Sequence, residues 1–234
     1  MFDFTAKSVV VTGGTSGIGR AIAGAFREAG AKVVAAGLPS TEESATGVTT
    51  ETVDVADGNA ITQFFEKIPE IDVLVNAAGI IRREEEFGLD AFAQVLDVNL
   101  TGVMRACMAA RPKLAKTRGS IVNIASMLSF FGGPRAPAYS ASKGGVAQLT
   151  RSLAVAWAAD GIRVNAVAPG WIVTPLTRAL QNDAARSDQL LARTPLGRWG
   201  LAREIAGPVL FLSSEAASFM TGAIVTVDGG YSAA

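Results

Sequence analysis

The chain has 234 residues, 49% hydrophobic and 18% charged, with Lys plus Arg balancing Asp plus Glu at 21 each. That is enough apolar material for one large α/β domain or two small ones, and a zero formal charge gives no global attraction to nucleic acid or an anionic membrane. The single cysteine, Cys107, excludes an intrachain disulfide and a cysteine-rich zinc site, and the absence of histidine excludes every imidazole mechanism, leaving acid–base chemistry to Tyr, Lys, Asp, Glu or Cys.

The opening residues through Lys7 carry no signal-peptide pattern, and no apolar run approaches the length of a membrane span, so a cytoplasmic protein is expected. Ser8–Thr12 reads as a strand, followed by a helix over Gly17–Ala29 closed by Gly30. Lys32–Gly37 is a second strand and Thr49–Val53 a weaker third. Leu38–Val48 between them is near the minimum length for a parallel crossover and predicts at most a vestigial helix. Asn59–Lys67 is helical and Val73–Asn76 a strand. Phe87–Lys116 is largely helical, with Pro112 a candidate break. Ser120–Ala125 is a strand, Ala138–Ala159 a long helix, Arg163–Ala168 a strand, Arg203–Ser213 a helix and Ala223–Val227 the last strand. Arg178–Arg193 reads as a polar helical segment suited to a lid.

Short unalternating β-branched runs such as Val9–Val11 and Val73–Val75 suit strands buried on both faces of a parallel sheet. Their alternation with helices predicts a single-domain doubly wound Rossmann fold of about seven strands, with right-handed crossovers and helices on both faces. No linker, repeat or low-complexity tract interrupts it.

The first strand runs into Thr12-Gly-Gly-Thr-Ser-Gly-Ile-Gly19. Gly13 permits a tight turn, Gly17 lets the backbone approach a pyrophosphate, and Gly19 lets the helix pack close to the sheet, with the helix N-terminus favouring the anion. A glycine loop alone is also a common structural turn; its place between strand one and an amphipathic helix favours nucleotide binding.

Ser126 ends a strand, and Tyr139 and Lys143 stand at i and i+4 at the start of the long helix, on one face. A phenol has a pKa near ~10, which a nearby ammonium lowers, making it an acid or base at neutral pH. Ser126 is suited to hydrogen-bond a substrate oxygen as charge develops. Taken alone, Tyr-x-x-x-Lys more often is a helix start with a solvated lysine; the glycine loop and the Ser126 strand end favour catalysis.

These residues resemble the short-chain dehydrogenase/reductase family, over essentially the whole chain. Thr12–Gly19 is similar to its TGxxxGxG, Asp54-Val55 to its adenine-contacting position, and Asn76-Ala77-Ala78-Gly79 to its NNAG with Ala at the second place. Asn99, Ser126, Tyr139 and Lys143 match its catalytic residues, and Pro169-Gly170, Ile172 and Thr174 its segment closing on the nicotinamide. The resemblance implies cofactor contacts from Gly13, Thr15, Ser16, Gly17, Ile18, Gly19, Gly37, Leu38, Asp54, Val55, Asn76, Ala77, Ala78, Gly79, Tyr139, Lys143, Pro169, Gly170, Ile172 and Thr174. It implies that Asn99 holds a water in a proton relay from Lys143, and that the protein is a homotetramer or dimer. Gly79–Glu84, Ile124–Phe130 and Pro195–Gly200 look like the sugar-acid branch, which includes 2-deoxy-gluconate 3-dehydrogenase and 2-dehydro-3-deoxy-gluconate 5-dehydrogenase.

The coenzyme is harder to read. An acidic residue ending strand two would bond the ribose hydroxyls of NAD, but that position is Gly37. A cation for the 2′-phosphate of NADP is missing at both Ser16 and Leu38. The reading leans to NAD, with Ser40 or Thr41 the route to the opposite answer. For an anionic substrate, Arg82, Arg83 and Arg135 are the candidate guanidiniums, with Arg135 and Arg82 put first; surface solvation is the bland reading for at least two of the three. Trp171 is placed as a cap on the pocket. Phe130, Phe131 and Met127 suit an apolar wall or simply core. No metal is expected. The leading function is therefore hydride transfer between a nicotinamide cofactor and a sugar acid of gluconate type. A 3-oxoacyl-thioester reductase is the rival within this chemistry, and a non-catalytic nucleotide-sensing or scaffold protein the rival outside it.

Overall fold

Every strand of the central sheet is parallel to its neighbours, and its strand order reverses once. The structure is a computed structural model describing residues 2–234, so Met1 of the expected N-terminal segment lies outside the described residues. In chain order it comprises β1 (Ser8–Thr12), α1 (Gly17–Glu28), β2 (Lys32–Gly37), β3 (Thr49–Thr52), α2 (Gly58–Lys67) and β4 (Val73–Asn76). There follow α3 (Leu89–Leu96), α4 (Gly102–Thr117), β5 (Ser120–Ile124), α5 (Pro137–Trp157), β6 (Arg163–Pro169) and β7 (Ile172–Val173). The chain closes with α6 (Arg178–Gln181), α7 (Ala184–Ala192), β8 (Gly200–Leu201), α8 (Ala202–Ser213) and β9 (Ile224–Val227). The seven-stranded sheet has the order β3-β2-β1-β4-β5-β6-β9, as the Rossmann reading expects, and β7 pairs with β8 in a small separate parallel ribbon.

Val9, Val10 and Val11 show why this run is a strand without polar alternation: all three are fully buried. Val10 packs into the cluster of Ile61, Ala106 and Val146 from α2, α4 and α5, while Val9 and Val11 pack with Ile22, Phe26, Ile205 and Val209 from α1 and α8. Side chains of successive strand residues point to opposite faces, so a strand sandwiched between two helical layers must be apolar at every position. Burying each such valine contributes on the order of 1.5–3 kcal/mol. The order reverses between β1 and β4, which puts a crevice at their carboxyl ends, where open α/β sheets bind ligands.

Two expectations need correction. Pro112 does not break α4; it lies within the helix, and the bond it cannot donate leaves only the carbonyl of half-exposed Met108 to solvent. The irregularity falls earlier, at Asp97–Thr101, a π-helical turn between α3 and α4. The connection over residues 38–48 has no helix, in keeping with the expectation of at most a vestigial one. The expected polar helical segment is two helices, α6 and α7, divided where Asp183 caps α7 by accepting from the Arg186 N–H at 3.2 Å. None of the α7 residues is buried. No helix among the described residues is long and apolar enough to cross a membrane.

Candidate active site

The carboxyl ends of β1, β4 and β5 are tied together below the crevice by a buried polar chain. Thr12 Oγ1 donates to Asn76 Oδ1 at 3.2 Å, Asn76 Nδ2 to Asn123 Oδ1 at 2.9 Å, and Asn123 Nδ2 to Thr150 Oγ1 of α5 at 2.9 Å. Asn76 also donates to Cys107 Sγ at 3.3 Å. Its side chain thus fixes β4 against its neighbours at the floor of the crevice. Asp54 is likewise engaged locally, accepting from the Ala56 N–H at 2.9 Å.

The glycine loop has the geometry of a phosphate cradle. Gly13 and Gly17 have φ of +68° and +52°, a region glycine enters without strain. A Cβ on Gly13 would lie 2.4 Å from the Ala78 nitrogen, and one on Gly19 2.1 Å from the Gly13 carbonyl oxygen, so the loop packs backbone on backbone. Thr174 sits opposite, its Cβ 3.5 Å from where a Gly17 side chain would begin. Gly170 is equally constrained, since a Cβ there would meet the Asp228 Cα at 2.6 Å. The two segments expected to enclose a dinucleotide, Thr12–Gly19 and Pro169–Thr174, therefore face one another, and the residues present fit that cofactor.

Gly37 owes its lack of a side chain to Thr15. A Cβ on Gly37 would lie 2.7 Å from Thr15 Oγ1, which donates to the Leu38 carbonyl at 2.9 Å. The acidic position expected at the end of strand two is filled by a threonine folded back from the glycine loop.

The four catalytic candidates converge where β5, α5 and the π-helical turn meet. Lys143 is buried, and its Nζ donates to the Ile124 carbonyl at 2.7 Å and stands 5.6 Å from the Tyr139 ring centre. Burial pushes the Lys143 ammonium down to about 8. Burial pushes the Tyr139 phenol up, opposed by the Ser126 hydroxyl and by the Arg83 guanidinium. Ser126 caps a short 3-10 turn, its Oγ accepting from the Leu128 N–H at 3.1 Å. Asn99 is fully buried; its Oδ1 accepts from Ile80 N–H at 2.8 Å, and its Nδ2 donates to Ile80 carbonyl at 2.9 Å and Ser142 Oγ at 3.1 Å. A Cβ on Gly79 would approach Asn99 Oδ1 at 3.4 Å and Lys143 Nζ at 3.7 Å, so the glycine keeps the space between these two groups clear of a side chain.

The arginines sort differently from the sequence reading. Arg135 forms an ion pair with Glu84, and Arg82 pairs with Glu85 at 3.1 Å on the surface. Arg83, which the sequence ranked behind both, is half-buried and makes no side-chain hydrogen bond or ion pair among the described residues. Burial lowers its pKa, and the nearby Tyr139 opposes that shift.

Trp171 stacks edge-on with Trp199 at 6.1 Å and Tyr231 at 6.2 Å, and its buried indole N–H has no hydrogen-bond partner among the described residues. Tyr231 also stacks on Phe131 at 5.8 Å, with Arg193 at 4.5 Å from its ring centre. Met127 is buried core, while Phe130 is about half exposed. Tyr231 and Arg193 had no sequence signal: they reach Phe131 and Trp171 from the end of the chain and of α7. Glu86, the other unforeseen member, accepts from the Tyr139 N–H.

The family described as Enoyl-(Acyl carrier protein) reductase matches residues 13–232. The chain is 42% identical to 2-dehydro-3-deoxy-D-gluconate 5-dehydrogenase of Bacillus subtilis, over 98% of this chain and 96% of that protein. It is 40% identical to a 3-oxoacyl-[acyl-carrier-protein] reductase of Thermotoga maritima, over 96% of this chain and 97% of that one. Among solved structures, gluconate 5-dehydrogenase from Burkholderia cenocepacia, in complex with NADP and tartrate, is 37% identical with a TM-score of 0.91, covering 100% of this chain and 98% of that chain.

Proposed function

The chain belongs to the short-chain dehydrogenase/reductase family, and from that membership we propose that it interconverts a hydroxyl and a carbonyl on a sugar acid of gluconate type, using a nicotinamide dinucleotide. The observation that carries the substrate class is Arg83. An unpaired, half-buried guanidinium beside the catalytic tyrosine is costly unless an anion completes it, and a guanidinium can hold a carboxylate through two parallel bonds. The unspent Trp171 N–H fits a second polar group, such as a hydroxyl of a polyol chain.

The nicotinamide, when bound, gives or takes the hydride. Tyr139 carries the proton at its phenol oxygen. Lys143 holds positive charge near that phenol, and Ser126 hydrogen-bonds the substrate oxygen where charge develops. Asn99 keeps the Ile80 backbone and Ser142 fixed around this group. Its place in a water relay is supported by its nearness to Lys143 across Gly79. Catalytic side chains of all four kinds speak against a non-catalytic scaffold.

NAD is the coenzyme we propose to be preferred. Its support is the lack of a cation at Ser16, Gly37 and Leu38. The Burkholderia structure is in complex with NADP, so the proposal needs both coenzymes compared. We further propose a homotetramer or dimer in the cytoplasm, supported by large apolar residues exposed on α4, α5 and ahead of β9: Met108, Val155 and Phe219. Light scattering after gel filtration tests the assembly.

The decisive experiment is a panel of aldonates, 2-keto-3-deoxy acids, neutral polyols and acetoacetyl thioesters, assayed with both NAD and NADP. Highest kcat/KM for a sugar acid is the expected result. Preference for the thioester overturns the substrate class, and preference for NADP overturns the coenzyme.

A further inference from the structure

The residues 38–48, which lack regular structure, lie against the glycine loop and the first turn of α1 at three points. Thr15 Oγ1 donates to the Leu38 carbonyl at 2.9 Å, Arg20 Nε donates to the Glu43 carbonyl, and the N–H of Gly17 donates to the carboxylate of Glu42 at 2.7 Å. Gly17 is the first residue of α1, and its N-cap, Ser16, makes no side-chain capping bond. The first turn of α1 has no acidic residue of its own. The anion that satisfies this helix end thus comes from 25 positions away in sequence, on a half-buried side chain whose own N–H is held by Ser40 Oγ at 3.1 Å. Orphan N–H groups and the positive end of the helix dipole make such a carboxylate stabilising.

We propose that Glu42 is an internal competitor for the cofactor, a carboxylate seated at the helix end that the cofactor diphosphate uses, so that cofactor binding displaces Glu42 and frees the residues around it from the helix end, while Thr15 and Arg20 still hold Leu38 and Glu43. The inference rests on reading the glycine loop as the diphosphate seat. One N–H directed at one anion leaves no room for a second, and a carboxylate and a diphosphate at the same helix end repel each other. The protein with Glu42 seated and the protein with diphosphate seated are therefore alternative states. The apparent affinity for cofactor falls by the fraction of molecules with the seat open. Thr15 and Arg20 keep the strap close by when Glu42 leaves, so it can return when the cofactor departs.

The test is equilibrium binding of NADH and of NADPH, followed by energy transfer from tryptophan, on wild type, E42Q and E42A. Amide hydrogen exchange of the wild type with and without NADH accompanies it. Both variants are expected to bind either dinucleotide roughly 10-fold tighter, as removal of a competitor seated about nine-tenths of the time requires. Exchange over residues 39–42 should rise when NADH binds, while that of Gly17 falls. Unchanged affinity in both variants overturns the proposal. Weaker binding overturns it too, and makes Glu42 a ligand of the bound cofactor. A gain confined to NADPH overturns it in favour of a carboxylate that repels only the 2′-phosphate. Failure of wild type and variants alike to bind either dinucleotide overturns the cofactor reading itself, and the proposal with it.

Discussion

The carboxylate of Glu86 accepts a hydrogen bond from the backbone N–H of Tyr139 at 2.9 Å, and with its other oxygen one from the N–H of Arg82 at 2.8 Å. Glu86 is 1% exposed, so it holds the start of α5 and the arginine-bearing loop after β4 as one piece. Its charge also pushes the Tyr139 phenol up. In E86Q an amide must turn an N–H₂ toward one of the two donors, and one bond is lost at a cost of about 1–3 kcal/mol. We expect a lower Tm, a reduced kcat, and a pH limb for alcohol oxidation moved to lower pH because the neighbouring negative charge is gone. A purely structural Glu86 would reduce Tm and kcat without moving that limb.

Tyr139→Phe should abolish turnover and leave NADH binding intact, because the phenol oxygen carries the proton while the glycine loop carries most of the cofactor contacts. Retention of a substantial fraction of wild-type kcat would remove Tyr139 from the mechanism.

Burial sets the pH dependence of Lys143. With its ammonium held at about 8, alcohol oxidation should rise with pH and level off near that value, and carbonyl reduction should fall over the same range. The apparent value belongs to the Tyr139–Lys143 pair rather than to either group. The stability contribution has the opposite origin from a salt bridge. Between about 8 and the ordinary lysine value of 10.5 the unfolded chain binds the proton and the folded one does not, so stability rises with pH across that window. Below about 8 both states carry the proton and the burial cost, at most about 3 kcal/mol, is present in full. The difference in Tm between wild type and K143M, measured from pH 7 to 10.5, should therefore move in favour of wild type as pH rises. A pH-independent difference would show that the lysine is solvated.

Arg83→Ala should raise KM for an aldonate by roughly thirtyfold to several thousandfold, corresponding to ~2–5 kcal/mol for a buried charge-assisted contact, while a neutral polyol of similar length is little affected. Arg135→Ala, losing only an exposed partner of Glu84, should change either substrate less than threefold. Equal losses on acid and polyol in R83A would make Arg83 structural.

Gly37→Asp should raise the NAD-to-NADP efficiency ratio at least tenfold, and should also lower Tm, because its Cβ must push aside Thr15 Oγ1. The double variant T15A/G37D should recover the stability and keep the selectivity. An unchanged ratio would place the adenosine ribose elsewhere than at the end of β2.

Much of this was legible in the residues. Val9–Val11 and Val73–Val75 announced a sheet covered on both faces, and Tyr139 and Lys143 share a helical face at a spacing that needs no structure to see. What was hidden depends on which residue meets which across the fold. Arg135 looked free until Glu84, 51 residues earlier, was found beside it. Arg83 looked like its neighbour Arg82 because solvent exposure leaves no mark in a polar run. Asn76 carried a motif signal, but nothing local shows its side chain bonding Thr12 and Asn123 under the crevice. Pro112 suggested a break by local rules, but the break lies at Asp97–Thr101, whose residues carry no breaker at all.

That π-helical turn has a consequence for how the chain tolerates change. A π turn holds one residue more than the α-helix on either side of it, and each residue advances an α-helix by about 100°. Deleting one residue among Asp97–Thr101 would heal the helix and improve its hydrogen bonding, yet it would rotate everything before the cut relative to everything after it. Either Asn99 would leave Ile80 and Ser142, or α4 would lose its seat on β4 and β5. The more regular helix is thus closed to this fold: here a local imperfection works as a vernier, setting two long elements in phase with an amide that neither could position alone.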